Sequence, residues 1–279
     1  MEYKNTACKK IFENKVYMYH NYIKDMSLLC LGEEDTFHTA STIGFTCDCP
    51  SVKTHNRVVV DKKFELAELR EIEKHHKHPY TIWTDASDTA TKNKVGELLF
   101  SWPAMMLDLD TLPSVSQNNH ISIELITSED KILATWIPII PQSYFPRAAE
   151  EDFKKYIQDW ENDWTTFFWY LRAAKTYSNM HFLLGYWDRV PAATGLFTVK
   201  DNAVYLYWIG VLPEFRSKGL GMAMTHWPLQ EFKNQGIKKA FLYASVMGKP
   251  LYEKLGFTTF GQIDVYNSKQ QSSEKNPAD

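Results

Sequence analysis

Residues 203–221 run from a buried strand through a glycine-rich turn into a helix, an order that suits the binding of a phosphate anion. Residues 203–211 are rich in β-branched and aromatic side chains, as is typical of a buried strand, and Pro213 ends its hydrogen-bond ladder. The glycines after it let the backbone adopt unusual conformations just before a helical stretch. Several backbone amides without intrahelical acceptors, together with the neighbouring cations, can then face one phosphate. The spacing is that of neither a Rossmann turn nor a P-loop. The turn consists of Arg216, Ser217, Lys218, Gly219, Leu220 and Gly221.

Two blocks of the sequence resemble the GNAT superfamily of acyl-CoA-dependent N-acyltransferases. In that family the fourth strand ends in Val-x-Pro and the next loop reads Arg/Gln-x-x-Gly-x-Gly/Ala. Here Val211, Pro213 and residues 216–221 stand at the expected separation. Residues 244–257 resemble the family's fifth strand, its fourth helix and the turn into its sixth strand. One helix-sized segment joins the two blocks, which makes the pair more specific than either block alone.

The resemblance implies a binding site for coenzyme A, with acetyl-CoA as the co-substrate. The glycine loop would hold the pyrophosphate, and Arg216 and Lys218 would contact it. The pantetheine would lie beside Ile209, Gly210 and Val211, where the family's fourth and fifth strands splay apart. The amide at the position of Val211 would then hydrogen-bond the thioester oxygen as negative charge develops on it.

The resemblance also implies a residue that protonates the leaving thiolate, but it does not imply a general base. Tyr252 matches the family's tyrosine near the sulfur, where a phenol can protonate the leaving thiolate. An ammonium group cannot attack a thioester, and the amine of an unperturbed lysine has a pKa of about 10.4. The amine that receives the acetyl group must therefore first lose a proton. Some family members carry a glutamate on the fourth strand, roughly where this chain has Tyr205. The sequence therefore names neither a general base nor the amine acceptor.

Two functions agree with these observations. The first is transfer of an acetyl group from acetyl-CoA to a primary amine, a small molecule or a protein, by direct attack within a ternary complex. The second is a non-catalytic acyl-CoA-binding or protein-interaction module that keeps the GNAT fold. The missing glutamate favours the second slightly, whereas Tyr252 and the intact loop favour the first more strongly. Oligomeric state and the use of other acyl groups stay open.

Composition excludes several other classes of protein. The net charge of −3 argues against a general nucleic-acid binder. No apolar run approaches the roughly 20 residues that a membrane span needs, and the N-terminus has no signal-peptide core. Four cysteines in 279 residues do not make a disulfide framework, so we expect a reduced, cytoplasmic setting. The histidines near residue 76 and the cysteines near residue 48 lack the spacing of known zinc sites, so no metal is expected.

The predicted fold is α+β, with a mixed, mostly antiparallel sheet flanked by helices in each of two GNAT-like domains. A polar, turn-forming stretch at 112–119 separates them. Residues 1–115 would form a degenerate N-terminal domain without a phosphate loop, an unrelated α+β cap being the alternative. Residues 119–267 would form the catalytic domain, and residues 268–279 a disordered tail.

Local patterns predict the elements of both domains. The N-terminal half shows strand patterns at 57–60, 81–84 and 104–109 and an amphipathic helix at 63–74; the C-terminal half shows strand patterns at 121–126, 180–186, 192–199 and 203–211 and a helix at 150–176. The helix predicted at 150–176 carries an unusually dense cluster of aromatic residues between 160 and 170. We expect these to be core or domain interface rather than an aromatic cage for the acceptor.

Overall fold

The computed structural model describes residues 36–38, 42–45, 49, 55–60, 65–75, 78–92, 94–144, 150–173 and 177–268. The chain divides into two compact units. The first unit comprises Met1–Ser101, Thr166–Tyr177 and Phe260–Asp279, and the second comprises Trp102–Thr165 and Ser178–Thr259. The predicted tail lies outside the described residues except for Ser268.

The helices and strands follow one another along the chain in this order. The N-terminal part contains β1 (Thr36–His38), β2 (Thr42–Phe45), β3 (Arg57–Val60), α1 (Leu66–His75), β4 (Thr81–Asp85), α2 (Thr89–Lys92) and β5 (Leu98–Asp108). The remainder contains β6 (Ile121–Ile126), α3 (Glu129–Lys131), a π-helical turn (Ile132–Trp136), α4 (Ile137–Tyr144), α5 (Glu150–Ala173), β7 (Met180–Trp187), β8 (Val190–Lys200), β9 (Ala203–Val211), α6 (Leu220–Asn234), β10 (Lys239–Tyr243), α7 (Lys249–Lys254) and β11 (Thr258–Asn267).

The first unit is built on a sheet whose strands lie in the order β1-β2-β3-β4-β11. β2 is antiparallel to its neighbours β1 and β3, α1 then connects β3 to the parallel strand β4, and β11 is antiparallel to β4. The strands predicted at 57–60 and 81–84 are confirmed as β3 and β4. The predicted helix at 63–74 is present as α1 over its described residues.

The second unit contains the sheet order β5-β10-β9-β8-β7-β6. Strands β6 to β9 are antiparallel, α6 connects β9 to the parallel strand β10, and β5 is antiparallel to β10. The four strands predicted in this part of the chain are confirmed as β6, β7, β8 and β9. The predicted α+β class, with a mixed and mostly antiparallel sheet, is likewise confirmed.

The same sequence of elements occurs in both units. Antiparallel strands lead through one helix to a parallel strand, and a short helix, a glycine (Gly96 or Gly256) and a final strand follow. The final strands are exchanged, because β5 pairs with β10 in the second unit and β11 pairs with β4 in the first. This order supports the predicted degenerate repeat. The two compact units have other bounds than the predicted domains 1–115 and 119–267, because residues 260–267 belong to the first unit, and the predicted domains stay a prediction.

Most residues of the aromatic cluster on α5 belong to the hydrophobic core. Trp160, Trp164, Phe167 and Phe168 are all buried, whereas Trp169 is half exposed. In the second unit Trp164 packs edge-to-face on Trp136 of the π-helical turn, with ring centroids 5.7 Å apart. The prediction that these residues are core is confirmed for the four buried ones.

Candidate active site

The two parallel strands of the second unit separate after a short paired stretch. β10 pairs with β9 from Lys239 opposite Ala203 to Phe241 opposite Tyr205, whereas β9 continues to Val211. Residues 206–211 therefore face a gap on the side where β10 would otherwise continue. Tyr205 itself is buried and stacks on Phe241 with ring centroids 5.6 Å apart, so this position belongs to the core before the gap begins.

The backbone of Val211 points into this gap. On the other side of β9 the amide of Leu212 donates to the carbonyl of Ala192, 2.9 Å away, and the register places Val211 opposite Ala193. In an antiparallel pair successive residues direct their polar groups to alternate sides. The amide and carbonyl of Val211 are therefore directed away from β8, and the carbonyl accepts a hydrogen bond from Nε of Arg216 at 3.1 Å. The amide is the group left facing the gap.

A β-bulge at Trp208 bends β9 beside the gap. The register with β8 shifts between Thr194 and Leu196, and Trp208 has φ 50°. A bulky residue rarely adopts this left-handed conformation, which costs about 1–3 kcal/mol and persists only where the surrounding structure enforces it. Here the hydroxyl of Thr194 donates to the carbonyl of Trp208 at 3.1 Å, and Trp164 packs edge-to-face on the indole with centroids 4.6 Å apart. These contacts hold the bulge in place.

The glycine loop has the backbone geometry of an anion site. A 3-10 turn at Pro213–Phe215 follows β9, and both Ser217 (φ 59°) and Gly219 (φ 90°) lie in the left-handed region before α6 begins. No side chain caps the start of α6, and the first amides of any α-helix lack intrahelical acceptors. The loop is exposed whereas Leu220 is buried, which anchors the helix start. The residues present therefore fit a phosphate group.

The two loop cations are already engaged within the protein. Arg216 donates from Nη2 to the carbonyl of Ser143 at 2.6 Å, in addition to its bond to Val211. Nζ of Lys218 lies 5.2 Å from the ring centroids of both Trp187 and Phe215, within the range of a cation–π interaction. Arg216 therefore ties the end of β9 to the end of α4, a role that its sequence position did not predict. Phosphate contact by either cation stays a prediction.

The missing side chain of Gly210 serves the packing of α4. A Cβ atom at residue 210 would stand 2.8 Å from Cβ of Ser143 and 3.3 Å from the hydroxyl of Thr194, so only glycine allows α4 to approach β9 here. The hydroxyl of Ser143 is buried and has no hydrogen-bond partner among the described residues. A protein side chain therefore occupies the space beside the α-carbon of Gly210, and contact of Gly210 with pantetheine stays a prediction.

Tyr252 is a buried phenol on the short helix α7. It is 9% exposed, and its ring packs edge-to-face on Phe257 with centroids 5.7 Å apart. The backbone approaches the ring closely, since a Cβ at Gly248 would stand 2.9 Å from Cε2 of Tyr252. Burial raises the pKa of the Tyr252 phenol. The group therefore keeps its proton at neutral pH, as a proton donor must.

Tyr144, the last residue of α4, joins the site although no sequence signal marked it. Its hydroxyl donates to the carbonyl of Ile209 at 3.3 Å, and its ring packs edge-to-face on Trp208 with centroids 5.6 Å apart. Although 38% of Tyr144 is exposed, burial around its hydroxyl, followed by the neighbouring Tyr252 phenol, raises the pKa of Tyr144. Tyr144 thus borders the gap-facing segment of β9 and interacts electrostatically with Tyr252. The residues before Tyr144 are mostly apolar, a pattern that is typical of any buried core segment.

Comparison with known proteins agrees with this geometry. Residues 141–257, which contain the gap, the loop and Tyr252, match the acetyltransferase (GNAT) family. These residues belong to the GNAT family. A search of curated proteins finds no match to the chain.

Solved structures, two of them GCN5-related N-acetyltransferases, share the fold of most of the chain. A GCN5-related N-acetyltransferase from Kribbella flavida is 15% identical with a TM-score of 0.60, and the alignment covers 88% of this chain and 93% of that one. A conserved protein of unknown function from Staphylococcus epidermidis ATCC 12228 is 12% identical with a TM-score of 0.55, covering 84% and 92%. A GCN5-related N-acetyltransferase from Sphaerobacter thermophilus is 12% identical with a TM-score of 0.52, covering 81% and 76%. At these identities the likeness extends to the fold alone.

Two further observations bear on cofactors and on membranes. Within the described ranges, no group of three or more His, Cys, Asp or Glu side chains is arranged to hold a metal ion. In the same part of the chain, none of the helices is both long and apolar enough to span a membrane.

Proposed function

We propose that this GNAT-family protein transfers an acetyl group from acetyl-CoA to a primary amine by direct attack within a ternary complex. The observation that carries the proposal is the separation of β9 from β10. It leaves the amide of Val211 facing a gap. Tyr144 bonds the carbonyl of Ile209 in this region and interacts electrostatically with the buried phenol of Tyr252. A hydrogen-bond donor and a proton donor are the two groups that thioester aminolysis requires of the protein. A cytoplasmic setting is part of the proposal.

The glycine loop would hold the coenzyme. Bare first-turn amides of α6, with the left-handed residues Ser217 and Gly219 before them, suit the pyrophosphate. Ile209, Gly210 and Val211 would lie along the pantetheine, whose amides can bond to strand groups that β10 no longer satisfies. Acetyl-CoA is used throughout the GNAT family, and the loop geometry is the local support for its binding here.

The chemistry assigns one role to each group. The amine nitrogen bonds to the acetyl carbon, the carbon–sulfur bond breaks, and the sulfur takes a proton from the Tyr252 hydroxyl. The resulting phenolate then regains a proton from water, which restores Tyr252 for the next turnover. The Val211 amide stabilises the negative charge that develops on the thioester oxygen. The amine gives up its surplus proton to water, because the strand position at which some family members carry a glutamate is the buried, stacked Tyr205.

The same observation on Tyr205 favours the second candidate, a non-catalytic acyl-CoA-binding module. Release of thiol from acetyl-CoA in the presence of a panel of primary amines separates the two candidates. Single-turnover transfer by Tyr252→Phe then tests the mechanism. This change keeps the ring on Phe257 but removes the proton, so we expect unchanged acetyl-CoA affinity and a chemical step slower by about 100-fold. Tyr186→Phe is the matched control, since that hydroxyl bonds Glu124 at 2.7 Å elsewhere in the unit.

Two results would count against the proposal. Coenzyme binding without amine-dependent thiol release would favour the non-catalytic module. Equal single-turnover rates for the wild type and Tyr252→Phe would show that solvent protonates the thiolate and that Tyr252 is structural.

A further inference from the structure

We propose that Arg216 is a positioning residue for acyl transfer, which holds the end of β9 so that the amide of Val211 stays directed at the thioester oxygen. This inference rests on the proposed function, because it concerns the same site and the same reaction. It gives Arg216 a part in the chemical step, whereas the sequence pattern suggested phosphate contact alone. The two hydrogen bonds that its guanidinium group makes within the protein carry the inference.

The guanidinium group joins the carbonyls of two different elements. Nε donates to the carbonyl of Val211 at 3.1 Å, and Nη2 donates to the carbonyl of Ser143 at 2.6 Å. Ser143 lies in the last turn of α4, where carbonyls lack intrahelical donors. Nε and Nη2 share one edge of a planar, rigid group, so a single side chain fixes both carbonyls at once. Arg216 is half-buried, which strengthens such charge-assisted bonds.

The bond to Val211 acts at the point where the ladder between β9 and β8 ends. The amide of Leu212 donates to the carbonyl of Ala192 at 2.9 Å, and Pro213 after it has no amide hydrogen with which to continue the ladder. The peptide group between Val211 and Leu212 is therefore held at one end by β8 and at the other by Arg216. In an extended residue the amide and the carbonyl point to the same side. Fixing the carbonyl of Val211 thus also fixes the direction of its amide.

The direction of this amide matters for the rate of the chemical step. A donor that stabilises an oxyanion must lie about 2.7–3.1 Å from the oxygen as charge develops, and a misplacement of about 1 Å can slow a reaction about 100-fold. Without the guanidinium group, the end of β9 loses its restraint on the side of the gap. We therefore expect the loss of Arg216 to slow acetyl transfer rather than to weaken coenzyme binding. A side chain that served as a phosphate ligand would do the opposite.

The experiment compares full-length wild type with Arg216→Lys, which keeps the positive charge but offers a single point donor in place of a rigid fork. Acetyl-CoA labelled with carbon-13 at the thioester carbonyl is bound to each protein, and infrared spectroscopy records the carbonyl stretch. A hydrogen bond from the Val211 amide lowers this frequency. The band in Arg216→Lys should therefore move to higher frequency and broaden, because the carbonyl then meets several hydrogen-bond geometries.

Kinetics and calorimetry complete the comparison. With the primary amine that releases thiol fastest in the wild type, Arg216→Lys should lower the single-turnover rate about 10-fold to 100-fold. Acetyl-CoA affinity should stay within about 3-fold, because the charge is retained. In Arg216→Ala, guanidinium ion at a non-denaturing concentration should restore part of the rate, whereas sodium chloride at equal ionic strength should not.

Arg172→Lys is the matched control. Arg172 is exposed, belongs to the first unit and lies over the ring of Tyr177, so this change should alter neither the carbonyl band nor the rate. Urea midpoints of all variants show whether a slower rate merely reflects less folded protein.

The inference is overturned if either the carbonyl band or the single-turnover rate of Arg216→Lys equals that of the wild type. A loss of affinity with an unchanged band and rate would make Arg216 a phosphate ligand instead. In these cases acetyl transfer still occurs and the proposed function stands. If the wild type transfers acetyl to no primary amine, the proposed function fails, and the carbonyl band alone still decides whether Arg216 positions the Val211 amide.

Discussion

Gly219→Asp provides the sharpest test of the coenzyme site. Gly219 has φ 90° immediately before α6, and a Cβ atom there would meet only Cδ1 of Ile121, at 3.8 Å. The new side chain is therefore accommodated sterically, and its backbone strain costs about 1–2 kcal/mol of folding free energy. Gly221→Asp is harder to interpret, because its Cβ would stand 3.1 Å from Cδ1 of Leu251. A loss of affinity in that variant could come from steric crowding as well as from the added charge.

The expected loss of affinity follows from the position of the added charge. A carboxylate on residue 219 would lie about one side-chain length from a phosphate held by the first amides of α6. Two unit charges about 6 Å apart interact with about 3 kcal/mol at an effective dielectric constant of about 20. That repulsion weakens acetyl-CoA binding about 100-fold. Raising the salt concentration should shrink the loss, because the loop is exposed and its charges are screened.

Two control variants separate charge from strain. Gly219→Asn has nearly the same shape as Gly219→Asp without the charge, so calorimetry should show a much smaller loss. Gly236→Asp carries the same strain at the other end of α6, since Gly236 has φ 92° and a Cβ atom at that residue would meet nothing within 4 Å. It should lower stability by a similar amount and leave acetyl-CoA affinity unchanged. Equal affinities for Gly219→Asp and wild type would refute the assignment of the phosphate to this loop, and so would equal losses for Gly219→Asp and Gly236→Asp.

Two more predictions concern the first unit. We expect calorimetry to give one acetyl-CoA per chain, because the Arg-x-x-Gly-x-Gly segment occurs once in the sequence, and a measured value of two would contradict this. Burial disfavours the charged form of Asp264, but hydrogen bonds from Lys92, Ser101 and Gln262 outweigh it, so the net pKa is lowered. Its stabilisation is therefore present above the unfolded pKa of about 3.9 and is lost as pH falls through the folded value. Asp264→Asn should lower the free energy of unfolding by about 2 kcal/mol at pH 7, and the difference in urea midpoint from the wild type should shrink as the pH falls below the unfolded pKa. The exposed Asp110→Asn should change the free energy of unfolding by under about 0.5 kcal/mol. A pH-independent deficit for Asp264→Asn would rule out the ion pair as its cause.

The sequence predicted most strands and the glycine loop because both depend on local patterns. Residues 203–211 are apolar and β-branched, and the turn after Pro213 needs its glycines for backbone reasons that act within a few residues. The exchanged final strands could not be predicted, because the pairing of β11 with β4 joins residues far apart in sequence that carry no complementary signal. The domain boundary predicted at the polar linker, residues 112–119, stays a prediction, because local composition carries no signal for such distant pairing.

In the candidate site, too, some residues are marked by a local sequence pattern, whereas others are brought together only when the chain folds. Tyr252 was predicted because it lies within a recognisable block. Tyr144 was missed because only the folded chain brings the end of α4 to Ile209. The bulge at Trp208 was missed for a different reason: nothing about a tryptophan in an apolar strand indicates a left-handed backbone. The engagement of Arg216 with two carbonyls likewise depends on how α4 approaches β9.

The exchange of β5 and β11 also affects the order in which the protein can mature during synthesis. The chain leaves the ribosome N-terminus first, and domains generally fold as units when their residues are complete. The first unit, although encoded mostly at the start, obtains the partner of β4 only once residues 258–267 have emerged. Until then β4 presents an unpaired edge, a known hazard for aggregation. A fragment cut at residues 112–119 would retain that open edge permanently, and the complementary fragment would lack the β5 partner of β10.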